Sequence, residues 1–312
     1  MAKNSSLVGG ESLMRSINYR VILVQILVAV FLCINFLLIT TFFMKDFFYK
    51  TMRYILFANT LLSDCLILII SNILLIFDYF RATMQIWLCL IFYILSSVYI
   101  LVTSFTLMAM TLERYVAICL PLRHVELCST HRVLPCILII HSLSAIPCIV
   151  DLSIFFASAT LNFHKQYRVC SVEVFTFQRW QGHIRSSIRQ FYFLIMCVTI
   201  VFSYFKIMKV AKAASGENRK STWKGLRTVI LHAFQLLLCL IQLWCPFIEA
   251  AVLQIDFMLY INVRYFTYIT FYLAPRCLSP LIYGLRDDKF FLALKYYALC
   301  GLYKKYSFHL TN

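Results

Sequence analysis

The chain has 312 residues, 62% of them hydrophobic and only 13% charged. Soluble domains sit nearer half apolar and a quarter charged, so the composition excludes a soluble globule and points to a protein that crosses a membrane several times. The formal charge of +16 does not mark a nucleic-acid binder, because the basic residues lie in short segments between apolar runs and form no basic face interleaved with aromatics.

The first twenty residues are polar and carry the sequon Asn4-Ser5-Ser6, a glycosylation acceptor only if this end lies outside the cell. They read as an extracellular terminus. They do not read as a cleavable signal, since the apolar run that follows is too long for a signal core. Seven apolar runs then occupy about 21–44, 54–80, 87–112, 133–159, 190–210, 229–255 and 260–285. Each is near or above the ~20 residues that span a bilayer. The fifth is the weakest, with Arg185 and Arg189 at its start and Lys206 and Lys209 at its end. With the N-terminus outside, the inner segments hold eighteen Lys and Arg and the outer segments ten, the bias of an N-out, C-in protein. The predicted architecture is an all-α membrane protein: an extracellular segment 1–20, a seven-helix bundle over 21–285 and a cytoplasmic tail 286–312. In that tail Arg286–Tyr297 has apolar residues at helical spacing among charges, as in a short amphipathic helix lying on the inner leaflet. Cys300 follows as a candidate acylation site, with an unmodified cysteine at least equally expected.

Sustained period-two alternation, the mark of a β-barrel, is absent. Most of the thirteen cysteines lie inside apolar runs, where a free thiol is a small buried hydrophobe. No CxxC and no Cys/His set with zinc spacing occurs, so neither metal nor cofactor is expected.

Three groups carry chemistry. The third run ends Glu113-Arg114-Tyr115-Val-Ala-Ile-Cys-Leu-Pro121-Leu-Arg-His124. An acid beside an arginine where a membrane helix meets the cytoplasm must pair or sit at a wet mouth. The second run holds Asp64 near its centre, a costly position that is a functional-site hypothesis by default. The seventh ends Pro275-Arg276-Cys-Leu-Ser279-Pro280-Leu-Ile-Tyr283. Pro280 weakens the helix and offers a hinge, or a plain kink. Arg276, about one turn above it, needs a partner inside the membrane. That partner is either Asp64, directly or through water, or a ligand in a cavity.

These motifs resemble those of rhodopsin-like G-protein-coupled receptors, over about residues 20–300. Glu113-Arg114-Tyr115 is similar to the acid-Arg-Tyr motif. Ser279-Pro280-Leu-Ile-Tyr283 is similar to Asn-Pro-x-x-Tyr, with serine replacing the amide. The extended run after Arg114, and Met52–Asp64, resemble odorant receptors, the latter of teleost type. Lys224, Thr228 and His232 resemble the Lys-x3-Thr/Ser-x3-His stretch that opens helix six in odorant receptors, a basic end facing the G protein. The resemblance implies that Asp64 lies in a polar pocket that often holds sodium; Arg276 paired with Asp64 would take the place of the ion. Cys89, at the top of run three, and Cys170, in the outer loop, are the two cysteines on the oxidising side, and the receptor superfamily has a disulfide there.

The resemblance further implies a ligand site among the outer halves of runs three, five, six and seven. Tyr93, Ser96, Ser97, Ile100 and Ser104 share a face at three-to-four spacing; Phe191, Ile195, Trp244, Tyr268 and Tyr272 join them from the other runs. Core packing is the alternative for each. No lysine lies in 260–285, so retinal attachment as in opsins is excluded. Ser96 occupies the position where amine receptors carry an aspartate.

An intramembrane enzyme would need HExxH, GxSxG or paired aspartates, none of which occurs. A transporter would be expected to show repeated halves, and none is visible. The sequence is therefore read as an odorant receptor of the plasma membrane. It would bind a small-molecule odorant and act on a heterotrimeric G protein, of the stimulatory olfactory class that raises cyclic AMP. A non-olfactory receptor of the same superfamily is the first alternative and a membrane transporter the second.

Overall fold

The computed structural model describes residues 2–44, 46–158, 166–170, 175, 179–214, 230 and 233–278, with side chains of the first helix placed from Tyr19 onward. Helix α1 (Ala2–Phe43) leads through a 3-10 turn (Asp46–Lys50) into α2 (Met52–Tyr79). A strand β1 (Thr83–Gln85) precedes α3 (Ile86–Cys119), and the short α4 (Pro121–Leu127) follows it. Next come α5 (Val133–Ser158), β2 (Tyr167–Val169) and α6 (Arg179–Ala214). The five long helices are each long and apolar enough to cross a membrane. The sixth crossing is two helices, α7 (Ala233–Gln242) and α8 (Cys245–Leu253), that meet at 41°. The seventh segment opens as α9 (Phe257–Thr267), turns π-helical over Tyr268–Leu273 and continues helical to residue 278, where the described residues end. Ser279, Pro280, Tyr283 and the predicted amphipathic tail helix lie outside the described residues.

Prolines account for the irregularities, because each lacks the N–H that would bond four residues back. Pro246 offers none to the carbonyl of Gln242, and the sixth crossing breaks at Leu243–Trp244. Pro275 offers none to Phe271, inside the π-helical stretch; such turns absorb a missing bond. Pro147 stands inside α5, yet that helix stays continuous. The carbonyl it leaves, that of Leu143, accepts from the Tyr192 hydroxyl at 3.1 Å.

Three sequence boundaries need correction. The fifth helix begins at Arg179, not 190, so Arg185 and Arg189 lie within it. The third continues to Cys119, so Glu113-Arg114-Tyr115 is still helical. The sixth run is broken, not continuous.

Lipid tails are as apolar as leucine, so close packing and internal hydrogen bonds hold such a bundle together. Its centre is α3, whose Leu101, Val102, Phe105, Leu107 and Met110 pack with Phe57 and Leu61 of α2, Ile140 of α5, Met196 of α6 and Leu240 of α7. Asn59 of α2 donates to the Thr106 hydroxyl of α3 at 3.1 Å. On the outer side β1 and β2 pair antiparallel, Thr83 opposite Val169. The turn into β1 places Arg81 at φ 52°, where its N–H bonds Asp78 and that of Ala82 bonds Phe77. This is a left-handed helix cap that glycine usually fills. A disulfide between Cys89 and Cys170 ties the end of β2 to the first turn of α3. Under it lie Met84, Ile86, Phe155 and Phe175, all buried.

Candidate functional site: two intramembrane aspartate–arginine clusters

Arg276 is the largest fully buried side chain among the described residues, 1% exposed, and Asp64 is 0% exposed. The Arg276 Nε lies 3.6 Å from Asp64 Oδ1. Its Nη1 donates to Gln242 Oε1 at 2.6 Å, and its guanidinium stands 5.1 Å over the Tyr272 ring. Asp64 also accepts from the Thr103 hydroxyl at 3.5 Å. Tyr272 stacks on Tyr268 at 5.2 Å, and the Tyr268 hydroxyl donates to Ser71 at 3.2 Å. One guanidinium thus joins α2, the end of α7 and the seventh segment, with α3 reached through Asp64. Gln242 is the last residue before the break in the sixth crossing. The cation therefore grips the point where that crossing bends. A second bond spans the same pair of elements, from the Gln235 amide to the Pro275 carbonyl at 3.3 Å.

A second cluster lies near the outer ends of α3, α5 and α6. Asp151, 8% exposed, accepts from the Tyr93 hydroxyl at 2.8 Å and lies 3.2 Å from Arg185 Nε. The Arg185 guanidinium also stands 5.6 Å over the Tyr93 ring. Phe175 packs on Tyr93 at 5.2 Å and on Phe155 at 5.5 Å, closing the cluster from the outer loop.

A third polar group sits between the sixth and seventh crossings. Thr267, buried, donates to Glu249 Oε1 at 2.6 Å, and Arg264 lies 3.9 Å from Asp78 of α2.

At the inner end of α3, Glu113 and Arg114 are 8% and 3% exposed. Glu113 Oε1 lies 3.3 Å from His124 Nε2 on α4, and the Tyr115 ring lies 6.0 Å from Phe202 of α6. Just beyond, burial and then the Glu113 charge hold the Cys128 thiol above its ordinary range, so it is protonated at neutral pH.

The predicted ligand residues divide. Tyr93 belongs to the outer cluster. The Ser96 hydroxyl donates to Tyr93 O and that of Ser104 to Ile100 O; Ser97 lies on the same helix, half-buried. Ile100 packs on the main core. Tyr268 and Tyr272 border the inner cluster. Trp244 is half exposed at the bend, 5.7 Å from Phe193. Phe191 and Ile195 do not join them: at 61% and 44% exposure they face outward. Inward on α6 are Tyr192, whose ring meets Phe105 at 5.6 Å, and Met196. Asn4 lies in the helical stretch whose side chains are outside the described residues, as are Lys224, Thr228 and His232.

Sequence reasoning passed over Asp151, Glu249 and Gln242, and it quoted His124 without giving it a partner. Asp151 and Glu249 carried the same signal as Asp64, a lone acid inside an apolar run.

Five membrane-length helices, a bent sixth crossing and a seventh helical segment thus pack round α3, with polar clusters between them and a disulfide from α3 to the outer loop. The family described as 7 transmembrane receptor (rhodopsin family) matches residues 34–283. The chain belongs to the rhodopsin family of seven-transmembrane receptors. It is therefore a multi-pass membrane protein of a receptor family. It is similar to Odorant receptor 131-2 of Danio rerio, 43% identical over 303 residues that cover 96% of this chain and 92% of that protein.

Proposed function

We propose that this receptor is an odorant receptor of the plasma membrane, with its N-terminus outside. It takes a small organic ligand among the outer ends of its helices and activates a heterotrimeric G protein inside, raising cyclic AMP. The observation that carries this reading is the 43% identity to an odorant receptor over 96% of the chain, since fold alone does not assign a ligand class.

The geometry supports a mechanism. A ligand shifts a two-state bundle only by binding one state better than the other. The outer cluster joins α3, α5 and α6, so a ligand there acts on α3 directly. Arg276 couples the centre of the bundle to the bend of the sixth crossing through Gln242. In the resting state Arg276 supplies the positive charge beside Asp64 that a sodium ion supplies in similar receptors. Activation swings α7 about the Leu243–Trp244 break. The inner ends of α3 and α7 part, and Glu113 loosens from His124. Arg114, with Tyr115, then meets the G protein beside Lys224, Thr228 and His232. Pro280 and Tyr283, by their resemblance to the superfamily's Pro-x-x-Tyr motif, take part in the same activation step. The receptor catalyses no covalent change; nucleotide exchange belongs to its partner.

The test is cyclic AMP in cells expressing the full chain with a stimulatory olfactory G protein, exposed to pooled waterborne odorants. A response that Arg114→Ala abolishes at unchanged surface level is expected. A response of equal size in Arg114→Ala would remove the coupling mechanism.

A further inference from the structure

Among its described residues the outer cluster holds more positive charge than negative. Asp151 holds Arg185 at 3.2 Å and accepts from Tyr93. Arg189, half-buried, lies one helical turn further along the same face of α6. Among the described residues no carboxylate pairs with Arg189. Among the described residues the site therefore sets two guanidinium groups against one carboxylate. A surplus cation among apolar helices is costly unless an anion meets it. The approach is basic as well: residues 156–189 hold Lys165, Arg168, Arg179, Arg185 and Arg189 but a single acid, Glu173.

We propose that this outer site takes an organic anion. The carboxylate or sulfonate of the ligand seats on Arg189 with Arg185 beside it, and its apolar body lies against Tyr93 and Phe175. A planar guanidinium fork matches a carboxylate with two parallel hydrogen bonds. The basic outer segment raises the local concentration of anions and their association rate. Asp151 sets the charge count: it neutralises Arg185, so one net positive charge remains, enough for a monoanion. The inference rests on the receptor reading and names the ligand class of that site. An anionic lipid headgroup or a free inorganic anion offers the same chemistry, so the experiment separates the three.

The full chain is purified in neutral-lipid nanodiscs and its Tm is followed against phenylacetate and 2-naphthalenesulfonate, each beside its neutral amide. Either anion is expected to raise Tm saturably, with its amide weaker by about tenfold or more. Arg189→Gln should weaken the anion by about tenfold or more and Arg189→Lys by less. Asp151→Asn frees Arg185, so it should lower the resting Tm yet tighten anion binding several-fold. A merely structural arginine would not produce that opposite pair of effects. The proposal is overturned if amides match the anions, if no probe shifts Tm, or if Arg189→Gln changes nothing. It is also overturned if sodium sulfate alone, or nanodiscs of anionic lipid, saturate the Arg189-dependent shift and block the probes. The cyclic AMP assay distinguishes the two readings. Anion binding with the expected variant effects but no signal removes the receptor mechanism and leaves the site. Signals from neutral odorants alone do the reverse.

Discussion

The two buried aspartate–arginine clusters use the same residue types for different ends. In the inner one, Asp64 and Arg276 are both sealed from solvent, and charges match one to one. Its polar neighbours, Gln242 and Thr103, are also buried. In the outer one, Arg185 and Asp151 are 12% and 8% exposed, and a second arginine stands beside them. A balanced, sealed pair has nothing left to offer a ligand, but it fixes the relative position of every helix it touches. An unbalanced pair near the mouth has a charge to spare. Charge count and access to the outside, not the presence of an ion pair, separate a conformational lock from a binding site.

The sharpest way to break that contrast is to remove each arginine. Arg276→Met leaves Asp64 buried without its cation and should cost about 3–5 kcal/mol, read as a large drop in Tm and loss of surface staining. Cys170→Ser opens the disulfide over the outer cluster and should cost about 2–4 kcal/mol. It should also weaken ligand potency, whereas the basal signal set by the inner cluster should hold in the receptor that still reaches the surface. Arg185→Met should cost less than Arg276→Met, about 1.5–3 kcal/mol, because Asp151 keeps its hydrogen bond from Tyr93 and the outer pair is less completely buried. Equal losses at the two sites would erase the distinction. Tyr192→Phe removes one neutral bond, to the carbonyl freed by Pro147, and should cost about 0.5–1.5 kcal/mol without changing ligand selectivity.

Much of this was legible in the sequence, for reasons that also explain the gaps. Seven apolar runs specify seven crossings because a bilayer has a fixed thickness. Asp64 and Arg276 announce themselves because an isolated charge in an apolar run demands a partner. The same argument applied to Asp151 and Glu249 locates the outer groups. The outward placement of Phe191 and Ile195 was also readable. Arg185, Arg189, Tyr192, Met196, Ile200, Ser203 and Ile207 follow one another at three-to-four spacing, and the last four are buried. That stripe sets the phase of α6 and turns 191 and 195 to the lipid. The break in the sixth crossing was half legible: Pro246 marks where a helix weakens, but the 41° bend depends on what packs beside it. The β1–β2 pairing was not legible, since three-residue strands carry no periodicity. His124 was hidden because its partner Glu113 lies on the other side of a turn.

The central claim is that Asp64 and Arg276 act as one unit that holds the bundle, and a double-mutant cycle on Tm tests it most directly. Asp64→Asn and Arg276→Gln are measured singly and together in the purified full chain. If the pair is a unit, the double variant loses less than the two single losses combined, by about 1–3 kcal/mol. Strict additivity would mean that the two charges are buried side by side without holding one another, and would contradict the account.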